Sequence, residues 1–329
     1  MGQSPELLAA HQARREAFDP LLALSEPLPP PGKWDTALSC PGGVALVRNL
    51  IADPDTWGYT FFAAHESKLV PKVDGPKAFA ELLDLWAEQD AFRPGPDSIA
   101  SITWPSRDTE MSRALAERGF TPQAILGVRL AGQTTGASAA PGSTGSGFGS
   151  GIVVRRAKPR DTEAVTWLWM EQLRWDAQFG YVSIRPSTPS GLAEQVAQAV
   201  GGEEKRAWLA ERDGEPVGLI VVQPPDHASW AAHLIRVAPA AYLNCGAVTA
   251  GERGGGVGSA LARHVHAELD AEGVGAILLH YTATNPLSGP FWNRCGYRPL
   301  LTAWTRGTVG AAGSSPGSRR PPGPLAETP

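Results

Sequence analysis

Two stretches of the chain match each other without a gap at a separation of 177 residues. The first, residues 100–130, reads ASITWPSRDTEMSRALAERGFTPQAILGVRL, and the second, residues 277–307, reads ILLHYTATNPLSGPFWNRCGYRPLLTAWTRG. Identical or similar residues share positions in the pairs Asp108 and Asn285, Gly119 and Gly296, Phe120 and Tyr297, and Pro122 and Pro299. Each stretch predicts a strand, a turn, a short helix, a glycine-aromatic pair and a final strand. Such a repeat indicates two copies of one fold, the alternative being chance similarity between two αβ units.

Composition divides the chain into two halves at residues 131–151, a stretch of glycine, serine, alanine and threonine that is typical of a flexible linker. Residues 1–33, which end in PLPPPG, are expected to form a flexible leader and an extended segment. Residues 307–329 contain too few apolar side chains to order themselves. Two folded domains are therefore predicted, over 34–130 and 152–306.

The charge and cysteine content exclude several classes of protein. A net charge of −4 without a basic stripe argues against a nucleic-acid partner. The three cysteines lack the spacing of a zinc site or a disulfide framework, which favours a reducing compartment. No run approaches the ~18 apolar residues of a membrane helix, and the charged amino terminus is not a signal peptide. We expect a soluble cytoplasmic protein that has no membrane partner. Its oligomeric state is not predicted.

The carboxy-terminal half has the pattern of a mixed α/β domain. AWLAER and EPVGLIVV flank Asp213-Gly214, which predicts a β-hairpin. The apolar run AAYLNCGAV predicts a strand that leads into the loop GERGGG and then into a helix. Within that helix Leu261, Val265 and Leu269 recur at a four-residue spacing, and AILLHYT predicts the following strand.

The glycine loop between this strand and helix is the clearest candidate binding site. The first amides of a helix have no intrahelical partner, and glycines let an anion touch the backbone. A P-loop requires Lys-Ser/Thr after its last glycine, but Gly258 is followed by Ser259-Ala260. The dinucleotide fingerprint fits poorly as well, because its third glycine position, counted from Gly254, is Ser259.

The loop meets a third pattern, Arg-x-x-Gly-x-Gly, through Arg253, Gly256 and Gly258. With NPLSGPFWNRCGY, which is similar to Asn-x-x-Ala-x-x-Phe-Tyr-x-x-x-Gly-Phe, the chain resembles the GCN5-related N-acetyltransferase (GNAT) family over 152–306. The alternative is a glycine turn that serves packing only. The resemblance and the repeat together imply an α/β fold with two GNAT-like domains, each a mixed, mostly antiparallel sheet flanked by helices.

The resemblance implies acetyl-CoA as co-substrate and no metal. It places the pyrophosphate of coenzyme A on the loop residues Arg253, Gly254, Gly255, Gly256, Val257, Gly258 and Ser259. It places the pantetheine arm beside Ala247, Val248, Thr249, Asn285 and Trp292. The expected reaction moves an acetyl group to the amine of a small molecule. A non-catalytic acyl-CoA-binding or structural protein and a protein N-terminal acetyltransferase are the alternatives.

The residues that carry out proton transfer are less well specified. The strand AAYLNCGAV contains no Asp or Glu to act as a base, and Trp292 stands where family members often have an acidic tyrosine. His280 and Tyr281 on the next strand are the catalytic candidates. They are adjacent and therefore point to opposite faces, so at most one faces the acceptor. The alternatives are a hydrogen-bonded structural role for His280 and packing under the helices for Tyr281.

An aromatic segment lies where the family places the lid over the acceptor: Trp167, Trp169, Trp175, Phe179 and Tyr181. We expect either an amine pocket or ordinary core packing there. Glu171 and Asp176 in the same segment are expected on a solvated helix face, the alternative being that they attract a cationic amine. The amino-terminal half has no Arg-x-x-Gly-x-Gly, and Pro76 removes a donor next to Gly75, which indicates a degenerate copy.

Overall fold

The computed structural model describes residues 3–89, 97–133, 151–202 and 206–308. The strands of the amino-terminal half are β1 (Thr36–Cys40), β2 (Gly43–Ile51), β3 (His65–Val73), β4 (Ser98–Pro105) and β5 (Thr121–Leu130). Its helices are α1 (Pro5–Phe18), α2 (Pro76–Ala87) and α3 (Thr109–Glu117). Helix α2 connects the parallel strands β3 and β4.

The strands of the carboxy-terminal half are β6 (Ile152–Arg156), β7 (Ala207–Arg212), β8 (Glu215–Gln223), β9 (Ala240–Val248), β10 (Ala276–Thr282) and β11 (Arg298–Thr308). Its helices are α4 (Thr162–Asp176), α5 (Thr188–Gly201), α6 (Ser229–Ala232), α7 (Val257–Ala271) and α8 (Ser288–Arg294). The predicted hairpin is confirmed: Asp213 and Gly214 both have positive φ, as a type I′ turn requires, and join the antiparallel β7 and β8.

All these strands form one mixed sheet in the order β1-β2-β3-β4-β11-β5-β10-β9-β8-β7-β6, and the helices flank it. The predicted α/β class with a mixed, mostly antiparallel sheet is therefore confirmed. Apolar clusters lie on both faces of each half. In the carboxy-terminal half, α7 and α8 cover one face around Val265 and Trp292, while α4 and α5 cover the other around Trp169 and Val196.

The two halves exchange their last strands, which the sequence did not predict. Strand β11 lies between β4 and β5, and β5 lies between β11 and β10. The register is symmetric: β11 pairs Leu301 with Pro105, and β5 pairs Ala124 with Thr282, a match that the 177-residue repeat reproduces. Each half therefore completes the sheet of the other.

Strands β9 and β10 separate along their length. They pair in parallel only from Ala240 to Tyr242 on β9, so the rest of the two strands diverges. A bulge at Asn244 interrupts the pairing of β9 with β8 on the other edge. The result is a V-shaped opening in the sheet, bordered by the last residues of β9 and of β10.

The expectation of a flexible leader over residues 1–33 is wrong for Pro5–Phe18, which forms α1. Ser4 caps the first turn, Pro5 stands at the first helical position, and Glu6 complements the helix dipole. Two polar contacts fix the helix to the amino-terminal half, because Arg14 binds Asp108 and His11 is buried beside Val73. Of the predicted linker and tail, residues 134–150 and 309–329 lie outside the described residues, and β11 continues to Thr308.

Candidate active site

A cleft of about 720 Å³ opens at the divergent ends of β9 and β10. The last two turns of α4 form one wall, the glycine loop and the first turn of α7 form the second, and α8 forms the third. The cleft brings together residues predicted from the sequence on four separate elements. Those that line it are Ala247, Val248, Thr249, Arg253, Gly254, Gly255, Gly256, Gly258, Ser259, His280, Tyr281, Asn285 and Trp292.

The glycine loop presents the amino terminus of α7 to the cleft. Gly254 and Gly256 have φ of +82° and +88°, a left-handed conformation that is unfavourable for residues with a Cβ. Gly256 is the N-cap of α7, and among the described residues no side chain caps this helix end. The helix ladder begins with Ala260 N–H donating to Gly256 at 2.9 Å. The first-turn amides of Val257, Gly258 and Ser259 precede this bond and are therefore available to an anion together with the positive end of the dipole. The Gly255 amide, in contrast, donates to the Glu252 carbonyl at 3.2 Å.

Two arginines fix the loop. The guanidinium of Arg253 lies 4.4 Å from the ring centroid of Trp175, and its Nε donates to the Val248 carbonyl at 3.2 Å. From β7, Arg212 forms an ion pair with Glu252 at 2.9 Å. Arg253 is thus held between α4 and the end of β9, with its positive charge beside the open helix terminus.

The end of β9 leaves one backbone edge open. Thr249 N–H donates to Val217 on β8 at 3.0 Å, so the intervening Val248 directs its own amide and carbonyl away from β8. Because β10 has already diverged at this level, these groups do not pair with β10. The carbonyl accepts from Arg253 Nε, and the amide faces the cleft. The predicted strand edge, Ala247, Val248 and Thr249, is therefore positioned to pair with an extended ligand.

Helix α8 packs closely on β9 and on the glycine loop. A Cβ on Gly246 would lie 2.7 Å from the indole of Trp292, and one on Gly258 would lie 3.1 Å from Phe291. Glycine at these two positions is what allows the contact. Trp292 is buried, and its indole forms the floor of the cleft below β9.

Asn285 is buried and has three side-chain hydrogen bonds. Its Oδ1 accepts from the amides of Leu287 at 3.0 Å and Ser288 at 3.3 Å, which fixes the turn into α8. Its Nδ2 donates to Asp176 Oδ1 at 2.9 Å. The residue thus links β10, α8 and the end of α4.

The interpretation of Asp176 as part of a solvated helix face is wrong. Both side chains line the cleft, but Asp176 is partly buried, whereas Glu171 is exposed and pairs with Arg174 at 2.9 Å. Burial raises the pKa of Asp176 to about 6, although hydrogen bonds from Gln172 and Asn285 and the charge of Arg253 act in the opposite direction. A signal for this position exists in the sequence, because Asp176 continues the apolar face of α4 that includes Val165, Trp169 and Leu173.

His280 and Tyr281 lie on opposite faces of β10, as their adjacency predicts. The Nδ1 of His280 is 2.9 Å from the Tyr242 hydroxyl, and its ring stacks on Trp230 at 6.2 Å. Burial lowers the pKa of His280 to about 4, so the ring is neutral at pH 7. Tyr281 is 7% exposed in the cluster that contains Trp292, and burial raises its pKa. Neither residue has the pKa of an efficient base or acid near neutrality.

The predicted aromatic lid divides into core and cleft residues. Trp169 is buried and contacts Trp57 edge-on at 6.0 Å, and Tyr181 packs against Phe61 at 6.1 Å. Trp167 and Trp175 line the cleft, and Phe179 packs on Trp175 at 5.7 Å. Core packing therefore describes the first pair and a binding surface describes the second.

The described part of the chain contains no group of three or more His, Cys, Asp or Glu side chains that could hold a metal ion. Within the same ranges, no helix combines the length and apolar character needed to cross a bilayer.

Comparisons with known proteins agree with this geometry. Residues 164–297 match the model of the Acetyltransferase (GNAT) family. A GCN5-related N-acetyltransferase from Sphaerobacter thermophilus shares the fold, with a TM-score of 0.50 and 16% identity over 80% of this chain and 76% of that one. This coverage exceeds the carboxy-terminal half alone.

Two further solved structures are similar at lower scores. A GNAT-family acetyltransferase from Colwellia psychrerythraea has a TM-score of 0.49 and 12% identity, over 92% of this chain and 97% of that one. A GCN5-related N-acetyltransferase from Kribbella flavida has a TM-score of 0.42 and 14% identity, over 94% and 98%. A search of curated proteins gives no match. The family match and the shared fold lead to one conclusion: residues 164–297 form a GNAT-like domain.

Proposed function

We propose that the chain is an acyl-CoA-dependent N-acyltransferase that moves an acetyl group to the amine of a small molecule. The observation that carries this proposal is the open amino terminus of α7, which faces a cleft between two diverging strands. The donor is proposed as acetyl-CoA on the basis of the family, and no metal takes part.

The loop suits a pyrophosphate in charge and in shape. Gly254 and Gly256 adopt the positive φ that turns backbone amides inward, and Arg253 adds a fixed positive charge beside them. Charge-assisted bonds from an arginine and from helix-terminal amides are strong and orient a phosphate. In this assignment the residues from Arg253 to Ser259 hold the pyrophosphate of coenzyme A.

The strand edge suits the pantetheine arm. The Val248 amide faces the cleft and is available to a partner of the kind that a paired strand would supply. Trp292 provides an apolar floor under the arm, and Asn285 fixes the neighbouring turn. In this assignment Asn285 acts mainly through the turn and through Asp176, since its side chain already has three partners.

We also propose that the amino-terminal half is a degenerate copy that binds no coenzyme A. The symmetric exchange of β5 and β11, in register with the 177-residue repeat, supports two related halves. Val73 ends β3 as Val248 ends β9, and Asp108 matches Asn285 in the repeat. Helix α1 contacts both equivalent positions, through His11 at Val73 and Arg14 at Asp108.

The location of α1 therefore corresponds to that proposed for the pantetheine arm in the other half. The crossover helix α2 follows Gly75, whose backbone is extended, with a φ of −169°. Pro76 is the first residue of this helix. The amino terminus of α2 has no glycine loop like the one before α7, and Pro76 removes one amide donor. The amino-terminal half then serves the active half by completing its sheet with β5.

The test follows thiol release from acetyl-CoA by the full chain against a panel of alkyl amines, amino acids, aminoglycosides and short peptides. Release that depends on a small-molecule amine is the expected result. Release only with peptide α-amines would favour the protein N-terminal alternative. Coenzyme A binding without release for any amine would favour the non-catalytic alternative. A cytoplasmic location stays a prediction from composition.

A further inference from the structure

The cleft contains three carboxylates, and they differ in their partners. Glu252 is paired with Arg212 at 2.9 Å, and Glu171 is paired with Arg174 at 2.9 Å. Asp176 instead receives its hydrogen bonds from two neutral amides, those of Asn285 and Gln172. Neutral donors orient a carboxylate without neutralising its charge, so Asp176 is the carboxylate of this cleft that is held ready to accept a proton.

The position of Asp176 suits that task. It is the last residue of α4, a helix that packs against β9 beside the opening between β9 and β10. Oδ1 accepts from Asn285 at 2.9 Å and Oδ2 accepts from Gln172. Each carboxylate oxygen has two lone-pair sites, so one site on each oxygen remains for a ligand in the cleft.

We propose that Asp176 is the base that takes a proton from the acceptor ammonium, and that Asn285 and Gln172 are the residues that position it. This inference rests on the proposed function, since it names the residue that prepares the acceptor at the same site. It also resolves the absence of an acidic residue on β9, because the carboxylate comes from the neighbouring helix instead.

The charges around Asp176 are consistent with this role. Arg253 is the cation that acts on it, and it lowers the pKa less than burial raises it. The neighbouring Tyr181 and Cys245 have raised pKa values because of burial, so both are neutral at pH 7. A base that ionises near pH 6 is mostly ionised at neutral pH and still close to the optimum for proton transfer. His280, with a pKa of about 4, is a weaker base at the same pH.

The ammonium of the acceptor transfers one proton to Asp176, which leaves the nitrogen lone pair free. That lone pair attacks the thioester carbonyl carbon, the new C–N bond forms, and the C–S bond breaks. The second proton lost from nitrogen goes to the departing sulfur to give the thiol. Asp176 then releases its proton to solvent.

The test is Asp176→Asn in the full chain, measured with the best amine found in the panel. Asparagine keeps a side-chain oxygen that accepts from Asn285, so the turn and the fold are retained. We expect kcat at pH 7 to fall ~100-fold or more, the usual scale for a lost base. The dissociation constant for acetyl-CoA should stay within about twofold. The loss should shrink as pH rises, because the amine in solution then arrives deprotonated.

Glu163→Gln is the matched control, since Glu163 is an exposed carboxylate in the first turn of the same helix and outside the cleft. It should leave kcat within about twofold of wild type. A loss below threefold in Asp176→Asn, or a loss that is equal at every pH, would overturn the assignment, as would a loss of acetyl-CoA binding.

A second measurement keeps the proposal testable should Asp176→Asn fail to fold. In the wild-type enzyme, kcat should rise with pH through about 6 and then level off. A kcat that begins to rise only with the amine's own ionisation contradicts the role of Asp176. If instead the wild-type chain releases no thiol with any amine, the proposed function itself fails, and the two failures are therefore distinct.

Discussion

The Nδ1 of His11 lies 3.2 Å from the backbone nitrogen of Val73, the last residue of β3. The imidazole is buried, and it reaches the strand edge from α1, a helix that the composition of this segment did not predict. Burial, followed by the charges of Lys72 and Arg15, lowers the pKa of His11 to about 3. The neutral ring therefore holds the end of β3 in the folded protein, whereas it protonates readily in the unfolded chain.

This contact predicts a loss of stability in mild acid. Below pH 6.5 the unfolded chain binds a proton at His11 that the folded chain refuses, so stability falls as pH drops towards 3 and is unaffected above 6.5. His11→Gln should reduce the loss between pH 7 and pH 5 by about 2 kcal/mol. His266 and His280, whose pKa values burial also lowers, remain and continue to contribute. Urea unfolding at pH 5, 6 and 7 measures the difference.

The exposed His227→Gln serves as the control for that experiment and should keep the wild-type dependence on pH. An equal dependence in the His11 variant and in wild type would contradict the buried, neutral state of His11.

Gly256→Glu should abolish coenzyme A binding, since a carboxylate at the α7 terminus repels phosphate and fills the space that the anion requires. Gly273→Glu is the matched control. Gly273 also has a positive φ, of +81°, and a Cβ there would have no neighbour within 4 Å among the described residues, but it follows the opposite end of α7. Both variants therefore add one negative charge at a position of positive φ. Calorimetric titration should show binding in the control only.

The same titration counts the sites. Wild type should bind one coenzyme A per chain, because α1 contacts the equivalent positions in the amino-terminal half. A stoichiometry of two would contradict the degenerate-copy proposal. Retained affinity in folded Gly256→Glu would contradict the assignment of the loop.

The strand exchange predicts that the halves stay together after the chain is cut between them. A protease site introduced between residues 133 and 151 would allow the cut. Strand β5 has long pairings with both β10 and β11, and it cannot leave without opening the sheet of the carboxy-terminal half. Both pieces should therefore elute as one species under native conditions, with coenzyme A binding intact. Separation of the pieces without denaturant would show that the exchange contributes little.

Sequence patterns predicted the local structure of the site because local chemistry determines it. Asp213-Gly214 demands a hairpin turn, and a strand followed by Gly254, Gly255 and Gly256 demands a helix with an open terminus. Helix α1 could also be predicted, because Ser4, Pro5 and Glu6 are ordinary signals for the start of a helix. The PLPPPG run that ends the segment indicates extended backbone, but it does not reach back to these residues.

The strand exchange could not be predicted from the sequence in the same way. Strands β5 and β11 are similar in sequence, so either can pair with β4 or with β10 while every residue keeps its face. Only the three-dimensional packing selects the exchanged arrangement. Asp176 is only partly predictable. Its position on the apolar face of α4 indicates burial, but its partner Asn285 is 109 residues away, so their contact depends on the fold.

His280→Gln separates the two candidate bases. Glutamine keeps a group that can hydrogen-bond to Tyr242 but does not titrate. If Asp176 is the base, the rise of kcat near pH 6 should remain in this variant, and kcat should fall by less than about tenfold. A loss of the rising limb in His280→Gln, with the limb kept in Asp176→Asn, would assign the base to His280 instead. Initial rates from pH 5 to pH 9 at saturating substrates provide the measurement.

Trp292→Phe tests whether the position of the family's acidic tyrosine has kept a catalytic role. The indole of Trp292 can donate a hydrogen bond but has no proton to transfer near neutral pH. Its ring packs against Gly246 and forms the floor under the proposed path of the pantetheine arm. The smaller phenyl ring leaves part of that contact empty, so the dissociation constant for acetyl-CoA should rise about tenfold, while kcat at saturating acetyl-CoA changes by less than threefold.

The limb of the pH profile above pH 8 should be the same in wild type and in Trp292→Phe, because no tyrosine at this position titrates there. A fall in kcat of ~100-fold with unchanged affinity would mean that the indole acts on the leaving sulfur, and the chemistry would then depend on α8 as well as on α4.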